Sequence, residues 1–229
     1  MEGTIGEVAK ATNSGLAVTV ATNPTIITGW TAEGRTLVDA MSEACQRVNV
    51  PIYVQLRGPD VDTYMQEMEV LLRISDQIHP KLVATHTGIE AAQRLERLGR
   101  RTLVTAVASV NQAFLAATAG ASYIAPYYGR IEKAGVDAAG FVRDVADLYT
   151  RHSVKTKIAA ASLRSPGQVE AAILAGAHVA VMGYSVFQSL LDDELTRIWI
   201  DGFERDWSRF DFVAPEATTL DVVSPDHQT

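Results

Sequence analysis

Seven short, almost unbroken apolar runs, most of them separated by segments of helix length, restrict this chain to a small group of architectures. The runs are AVTVA (17–21), PIYVQ (51–55), KLVAT (81–85), TLVTAV (102–107), SYIAP (122–126), KIAAA (157–161) and HVAVM (178–182). A strand that is apolar on both faces must be covered on both, which parallel strands flanked by helices achieve. Stretches such as TAEGRTLVDAMSEACQRV and DVDTYMQEMEVLLRISDQI supply the helices. ATAGASYIAP and ILAGAHVAVM repeat one unit: a helix, a left-handed cap at Gly120 or Gly176, then a strand.

Polar residues gather at the C-terminal ends of these runs: Thr22 and Asn23, Gln55, Thr85, Thr105, Tyr127 and Arg130, Ser162 and Arg164. A site assembled from many strand ends predicts an α/β chain folded as a (β/α)8 TIM barrel. Seven runs are one short of eight, because the sequence already enters a helix near GTIGEVAKAT. One barrel domain is expected over residues 1–210, its last helix ending near Phe210. A tail over 211–229 follows, with the strand-like TTLDVV. No G-x-G-x-x-G follows a strand and no G-x-x-x-x-G-K-[ST] occurs, so nucleotide-binding Rossmann and P-loop readings lose their main support.

A net charge of −7 argues against a general nucleic-acid binder, which needs a basic stripe. Nothing resembles a secretion signal or a membrane span, so a soluble cytoplasmic protein with no membrane partner is expected. Cys45 is the only cysteine, which leaves no intrachain disulfide and no thiolate zinc cluster. It is expected to be a buried, inert thiol. His79, His152, His178 and His227 show no metal-ligand spacing.

Lys81 stands out in HPKLVATHTG, at the entry to an apolar run. Two readings are open. The ammonium reaches water from a strand edge, or the amine is kept in a cavity for covalent chemistry.

The sequence resembles the class I transaldolases and their small relatives, the fructose-6-phosphate aldolases. The resemblance rests on VATNPTII (20–27), YVQ (53–55), K-x-x-x-T at Lys81, TLVTAV, YIAPYYGRI (123–131), AAASLRSP (159–166), LAGAHVAVM and FERDWSRF, in family order over about residues 5–210. It implies that Lys81 is the Schiff-base lysine and that Thr22 and Asn23 bind the substrate, Asn23 touching its hydroxyls. Gln55, Thr105 and Tyr127 match residues that hold the catalytic water and handle protons. Arg130, Ser162 and Arg164 match the phosphate side. Gln55 and Tyr127 follow the aldolase branch, while Arg164 follows the transferases. The implied route needs no cofactor or metal. The implied partners are sugar phosphates and further copies of the chain, in pentamers or decamers.

Two positions depart from the family pattern. Val83 stands where the family has proline, two residues after the lysine. The family's first strand also carries a catalytic aspartate, which spacing back from Asn23 puts at about Met1, so strand and carboxylate are both expected to be missing. Asp221 in TTLDVV is a candidate replacement. The favoured reading is a transaldolase passing a dihydroxyacetone unit from a ketose phosphate to an aldose phosphate. The alternatives are an aldolase releasing dihydroxyacetone, a specialised transferase building a long-chain sugar, and an inactive barrel serving as a sugar-phosphate sensor or scaffold.

Overall fold

A computed structural model describes residues 1–210. Asp221 and TTLDVV therefore lie outside the described residues. The chain divides into two compact units, one over Met1–Leu190 and one that begins at Leu191. The first contains seven parallel strands in sequence order: β1 (Val20–Ala21), β2 (Ile52–Gln55), β3 (Ile78–Val83), β4 (Leu103–Val107), β5 (Tyr123–Pro126), β6 (Lys157–Leu163) and β7 (Val179–Met182). Between and around them run α1 (Ile5–Asn13), α2 (Pro24–Trp30), α3 (Leu37–Arg47), α4 (Val61–Leu72), α5 (His86–Arg97), α6 (Val110–Thr118), α7 (Tyr128–Lys133), α8 (Ala138–Arg151), α9 (Pro166–Leu174) and α10 (Tyr184–Ser189). This is a nearly closed α/β barrel, an incomplete TIM barrel.

The strands are apolar throughout because each face packs on something different. Ile52, Val54, Ile78, Leu82, Val104, Ile124 and Ile158 point outward into the core shared with the helices, all at most 2% exposed. Ala21, Tyr53, Leu103, Ala125, Ala159, Ala161 and Val181 form a separate cluster inside the barrel. Tyr53 stacks on His79 at 5.3 Å and meets Tyr123 edge-on at 5.9 Å, filling the interior with rings.

The gap between β7 and β1 holds no eighth strand among the described residues, but it is not empty. The Glu2 N–H donates to the Met182 carbonyl and the Ala21 N–H donates to the Met1 carbonyl, both at 2.9 Å. Glu2 also makes a parallel bridge to Gly183. Two residues thus link the sheet edges before the Thr4–Glu7 capping box starts α1.

The repeated helix–glycine–strand unit is present as expected. Gly120 (φ +83°) and Gly176 (φ +102°) take left-handed conformations. After α6, the Gly120 N–H bonds the Ala117 carbonyl and the Ala121 N–H bonds that of Ala116, and the same pairing recurs after α9.

Three local expectations need correction. Strand β3 begins at Ile78, so Lys81 lies within the strand and not at its entry. Pro80 hides this in the sequence; it precedes the β3–β4 ladder, which starts at Lys81–Leu103, so its missing N–H removes no rung there. The fourth helix ends at Leu72, before RISDQI. Cys45 on α3 is half-buried, with its thiol pKa raised by burial.

The second unit contributes α11 (Glu194–Trp207), capped by the Asp193 side chain. Leu195, Ile198, Trp199, Phe203 and Trp207 are exposed on it. No helix among the described residues is long and apolar enough to cross a membrane.

Candidate active site

Among the described residues Lys81 heads the most fully buried side chains by volume, at 2% exposure. Strand alternation explains its position. In register, it lies between Gln55 on β2 and Leu103 on β4, and Leu103 belongs to the interior cluster. The amine therefore sits inside the barrel. Leu82, the next residue in sequence, points the other way, into the helix-facing core. The apolar surroundings come from neighbouring strands instead.

The only hydrogen bond of Lys81 Nζ among the described residues goes to the Thr22 carbonyl, at 2.8 Å. Burial lowers its pKa to about 8; the charge of Glu2 opposes this and that of Arg130 adds to it. An amine so placed is uncharged far more often near neutral pH than a free lysine. The snorkelling alternative fails on burial.

The other residues come from successive strand ends. Thr22, fully buried after β1, accepts from the Gln55 N–H at 3.2 Å through its hydroxyl, which also donates to the Tyr53 carbonyl at 3.4 Å. Gln55 closes β2, and Thr105 lies in β4. Gln55 Oε1 and Thr105 Oγ1 are buried without a hydrogen-bond partner among the described residues. Unpaired buried polar atoms are uncommon, and an inward-facing pair suits bound water or substrate oxygens. Tyr127 follows β5 and bridges to Ala161, while the Arg130 guanidinium lies over its ring at 4.7 Å.

Backbone geometry shapes the same rim. The register slips at Thr105/Val107 and again at Ala160/Leu163, and at these slips Ala106 (φ +59°) and Ser162 (φ +63°) adopt left-handed conformations. Such bulges re-aim side chains at strand ends, and each strained residue costs roughly 1–3 kcal/mol. A Cβ on Gly129 would lie 2.3 Å from the Ser162 carbonyl, so glycine lets α7, carrying Arg130, close onto β6.

Asn23 has two tasks. Its Oδ1 accepts from the Ile26 N–H at 3.0 Å, capping α2, which leaves only its amide N–H2 for other partners. That group donates to Glu2 Oε1 at 3.5 Å. Thr85 likewise caps α5.

The structure thus brings Lys81, Thr22, Asn23, Gln55 and Thr105 to one end of the barrel, with Tyr127 and Arg130 beside them. Ser162 and Arg164 lie at the same rim. Arg164 is exposed, and among the described residues no contact ties its guanidinium to the others. A cavity of about 560 Å³ between α2, α3 and α4 meets the site only at Gln55. Sequence reasoning missed one residue, Glu2, whose charge reaches Lys81 from the segment that fills the gap. Its signal is faint: a lone acid just before the first helix cap. Among the described residues no cluster of His, Cys, Asp or Glu could hold a metal.

The chain is similar to known proteins over most of its length. Residues 2–213 match the family described as Transaldolase/Fructose-6-phosphate aldolase. A probable transaldolase of Pelotomaculum thermopropionicum is 36% identical over 205 residues, covering 90% of this chain and 94% of that protein. A probable transaldolase of Chelativorans sp. is 34% identical over 205 residues, and probable transaldolase 2 of Listeria monocytogenes is 33% identical over 206, each covering 90% of this chain and 93% of the relative. With a buried low-pKa lysine inside the barrel and polar strand ends around it, the chain belongs to the transaldolase/fructose-6-phosphate aldolase family, in its small transaldolase subgroup, and is an enzyme of the class I transaldolase type.

Proposed function

We propose that the protein transfers a dihydroxyacetone unit from a ketose phosphate to an aldose phosphate through an imine on Lys81. The burial of that lysine and its lowered pKa carry the reading. Breaking a ketose between carbons three and four leaves an electron pair on carbon three. A protonated imine at carbon two accepts that pair and becomes an enamine. The neutral amine needed to form the imine is what burial supplies.

The remaining roles follow from chemistry at the strand ends. Tyr127 and Thr105 polarise a water that takes the C4 hydroxyl proton and later returns it to the acceptor oxygen. Gln55 orients that water but cannot act as a base, since an amide has no useful pKa. Thr22 fixes the lysine through its carbonyl, and Asn23 reads carbinol hydroxyls. Arg130, Arg164 and Ser162 hold the phosphate, for which the guanidinium fork is well shaped. Transfer, as opposed to release, is favoured because leaving and incoming aldose phosphates share one phosphate site, which keeps the acceptor carbonyl close to the enamine. The exposed apolar residues of α11 support assembly with further copies of the chain.

A second reading, release of free dihydroxyacetone, draws support from Gln55 and Tyr127, where the transaldolase branch usually carries glutamate and phenylalanine. Product analysis separates the two. Fructose 6-phosphate is supplied with and without erythrose 4-phosphate or ribose 5-phosphate, and free dihydroxyacetone is compared with new ketose phosphate. A new ketose phosphate that replaces dihydroxyacetone when acceptor is present is the expected result. Dihydroxyacetone accumulating at an unchanged rate, with no longer ketose, would assign the protein to the aldolases.

A further inference from the structure

We propose a second ligand site at the N-terminal mouth of the barrel, for a small dianion carried on a flat apolar body, such as an aryl phosphate ester. This mouth is at the opposite end of the strands from Gln55 and Tyr127, and the site owes nothing to the imine chemistry. Two adjoining cavities form it. One, of about 230 Å³, opens where the strands begin: Thr19 and Pro51 precede β1 and β2, Tyr123 and Val179 start β5 and β7, and Tyr53 and Leu103 add apolar wall. None of the polar residues grouped around Lys81 lines it. The other, of about 370 Å³, is lined by Arg101, Lys155 and Lys157. Arg101 lines both.

The chain carries a net charge of −7, yet this mouth is positive. Among the described residues Arg101, Lys155 and Lys157 form no ion pair. Arg100, next to them, meets only the exposed Asp76, at 3.9 Å. Glu96 is the one acid whose charge is felt at Tyr53 and His79. Its Oε1 already accepts from the Thr102 N–H and hydroxyl and from the Ser122 N–H, at 2.7, 2.8 and 2.7 Å, so it serves the backbone. The positive field reaches the cavity wall. His79 stacks on Tyr53, and its pKa is lowered first by burial and then by the charges of Arg101 and Arg100. Its Nδ1 is buried with no hydrogen-bond partner among the described residues.

Arg101 is held ready for an anion. Its guanidinium lies over the Tyr123 ring at 5.5 Å and donates to the Tyr123 hydroxyl at 2.9 Å, which fixes the fork and leaves most of its donors for a ligand. Lys155 and Lys157 supply further charge on the outer side. On the inner side the walls are apolar and aromatic, and a cavity of about 150 Å³ suffices for a benzene ring. The inner cavity therefore takes one ring, with the dianion left at the level of Arg101.

The probe is phenyl phosphate, with inorganic phosphate as its control, and binding is followed by ligand-observed NMR. Wild type is compared with Arg130→Ala/Arg164→Ala, which lacks the phosphate grip proposed at the other end of the barrel. Arg101→Ala, Arg101→Lys and Lys157→Ala are each added to that double variant, and thermal unfolding first confirms that every protein is folded. Phenyl phosphate is expected to bind both wild type and the double variant with a Kd on the order of 1 mM or tighter. Adding Arg101→Ala should weaken binding by about tenfold or more, with Lys157→Ala and Arg101→Lys falling in between. Inorganic phosphate should bind at least about tenfold more weakly, since it leaves the apolar wall uncovered. Arg101→Ala alone should turn over fructose 6-phosphate within about twofold of wild type, which keeps the two ends separate. Binding lost in the double variant would place the probe beside Lys81 and overturn the proposal. So would an affinity unchanged by Arg101→Ala, inorganic phosphate binding as tightly as phenyl phosphate, or no binding to wild type at millimolar concentration.

Discussion

Replacing Lys81 with methionine is expected to lower turnover by roughly 10⁴-fold or more, and also to make the protein more stable. The two effects share one origin. The amine is 2% exposed, with a pKa that burial lowers from 10.5 to about 8. Between those values the folded state binds fewer protons than the unfolded chain, so stability rises with pH across that window. Below pH 8 the fold carries the full penalty of a buried ammonium, roughly 3 kcal/mol. Methionine has a similar length, fills the same space and carries no charge. Allowing for the lost hydrogen bond to Thr22, Lys81→Met should unfold about 4–8 °C higher at neutral pH. Its advantage should shrink as the pH approaches 10.5. Thermal unfolding of both proteins at pH 7 and pH 10 checks this; a methionine variant less stable than wild type at pH 7 would show that the lysine serves the fold.

The second large effect concerns the phosphate. Arg130→Ala and Arg164→Ala should each raise the apparent KM for phosphorylated sugars by about tenfold or more, since a charge-assisted hydrogen bond contributes roughly 1.5–3 kcal/mol. Use of free dihydroxyacetone as donor should change little. The two variants should differ in pH behaviour. Arg130 lowers the Lys81 pKa and lies over the Tyr127 ring, whereas Arg164 is not among the charges that shift the lysine. Arg130→Ala should therefore also move the acid limb of turnover to higher pH, and Arg164→Ala should leave it in place. Equal losses with phosphorylated and unphosphorylated substrates would show that these arginines hold the structure and not the phosphate.

The sequence reveals the barrel readily because parallel strands buried on both faces leave continuous apolar runs, and the glycine caps at Gly120 and Gly176 mark where helices return to strands. Strand starts are less legible. His79 and Pro80 read as a boundary, yet β3 runs through them, because the proline points its missing N–H where no ladder has yet begun. The environment of Lys81 is hidden in the sequence for a similar reason. Sequence neighbours alternate faces, so Leu82 cannot line the space around its neighbour's amine, and the residues that do come from strands far away in the sequence.

The segment before α1 shows the other limit. Spacing back from Asn23 predicts that the first strand and its carboxylate are missing, and the described residues contain no eighth strand. Filling the gap between β7 and β1 takes only the backbone groups of Met1 and Glu2, which hydrogen-bonding rules at the level of single residues do not reveal in advance. Orphaned polar atoms such as Gln55 Oε1 and Thr105 Oγ1 are likewise a property of packing: the residue types are visible in the sequence, but the absence of partners is not.

The proposed chemistry requires a covalent bond between Lys81 and the ketose. Wild-type protein incubated with fructose 6-phosphate, reduced with borohydride and analysed by intact mass and peptide mapping tests it directly. The predicted result is one added sugar-derived group per chain, on the peptide containing Lys81, with none in Lys81→Met. An adduct on another lysine, or no adduct in a wild-type protein that turns over substrate, would contradict it.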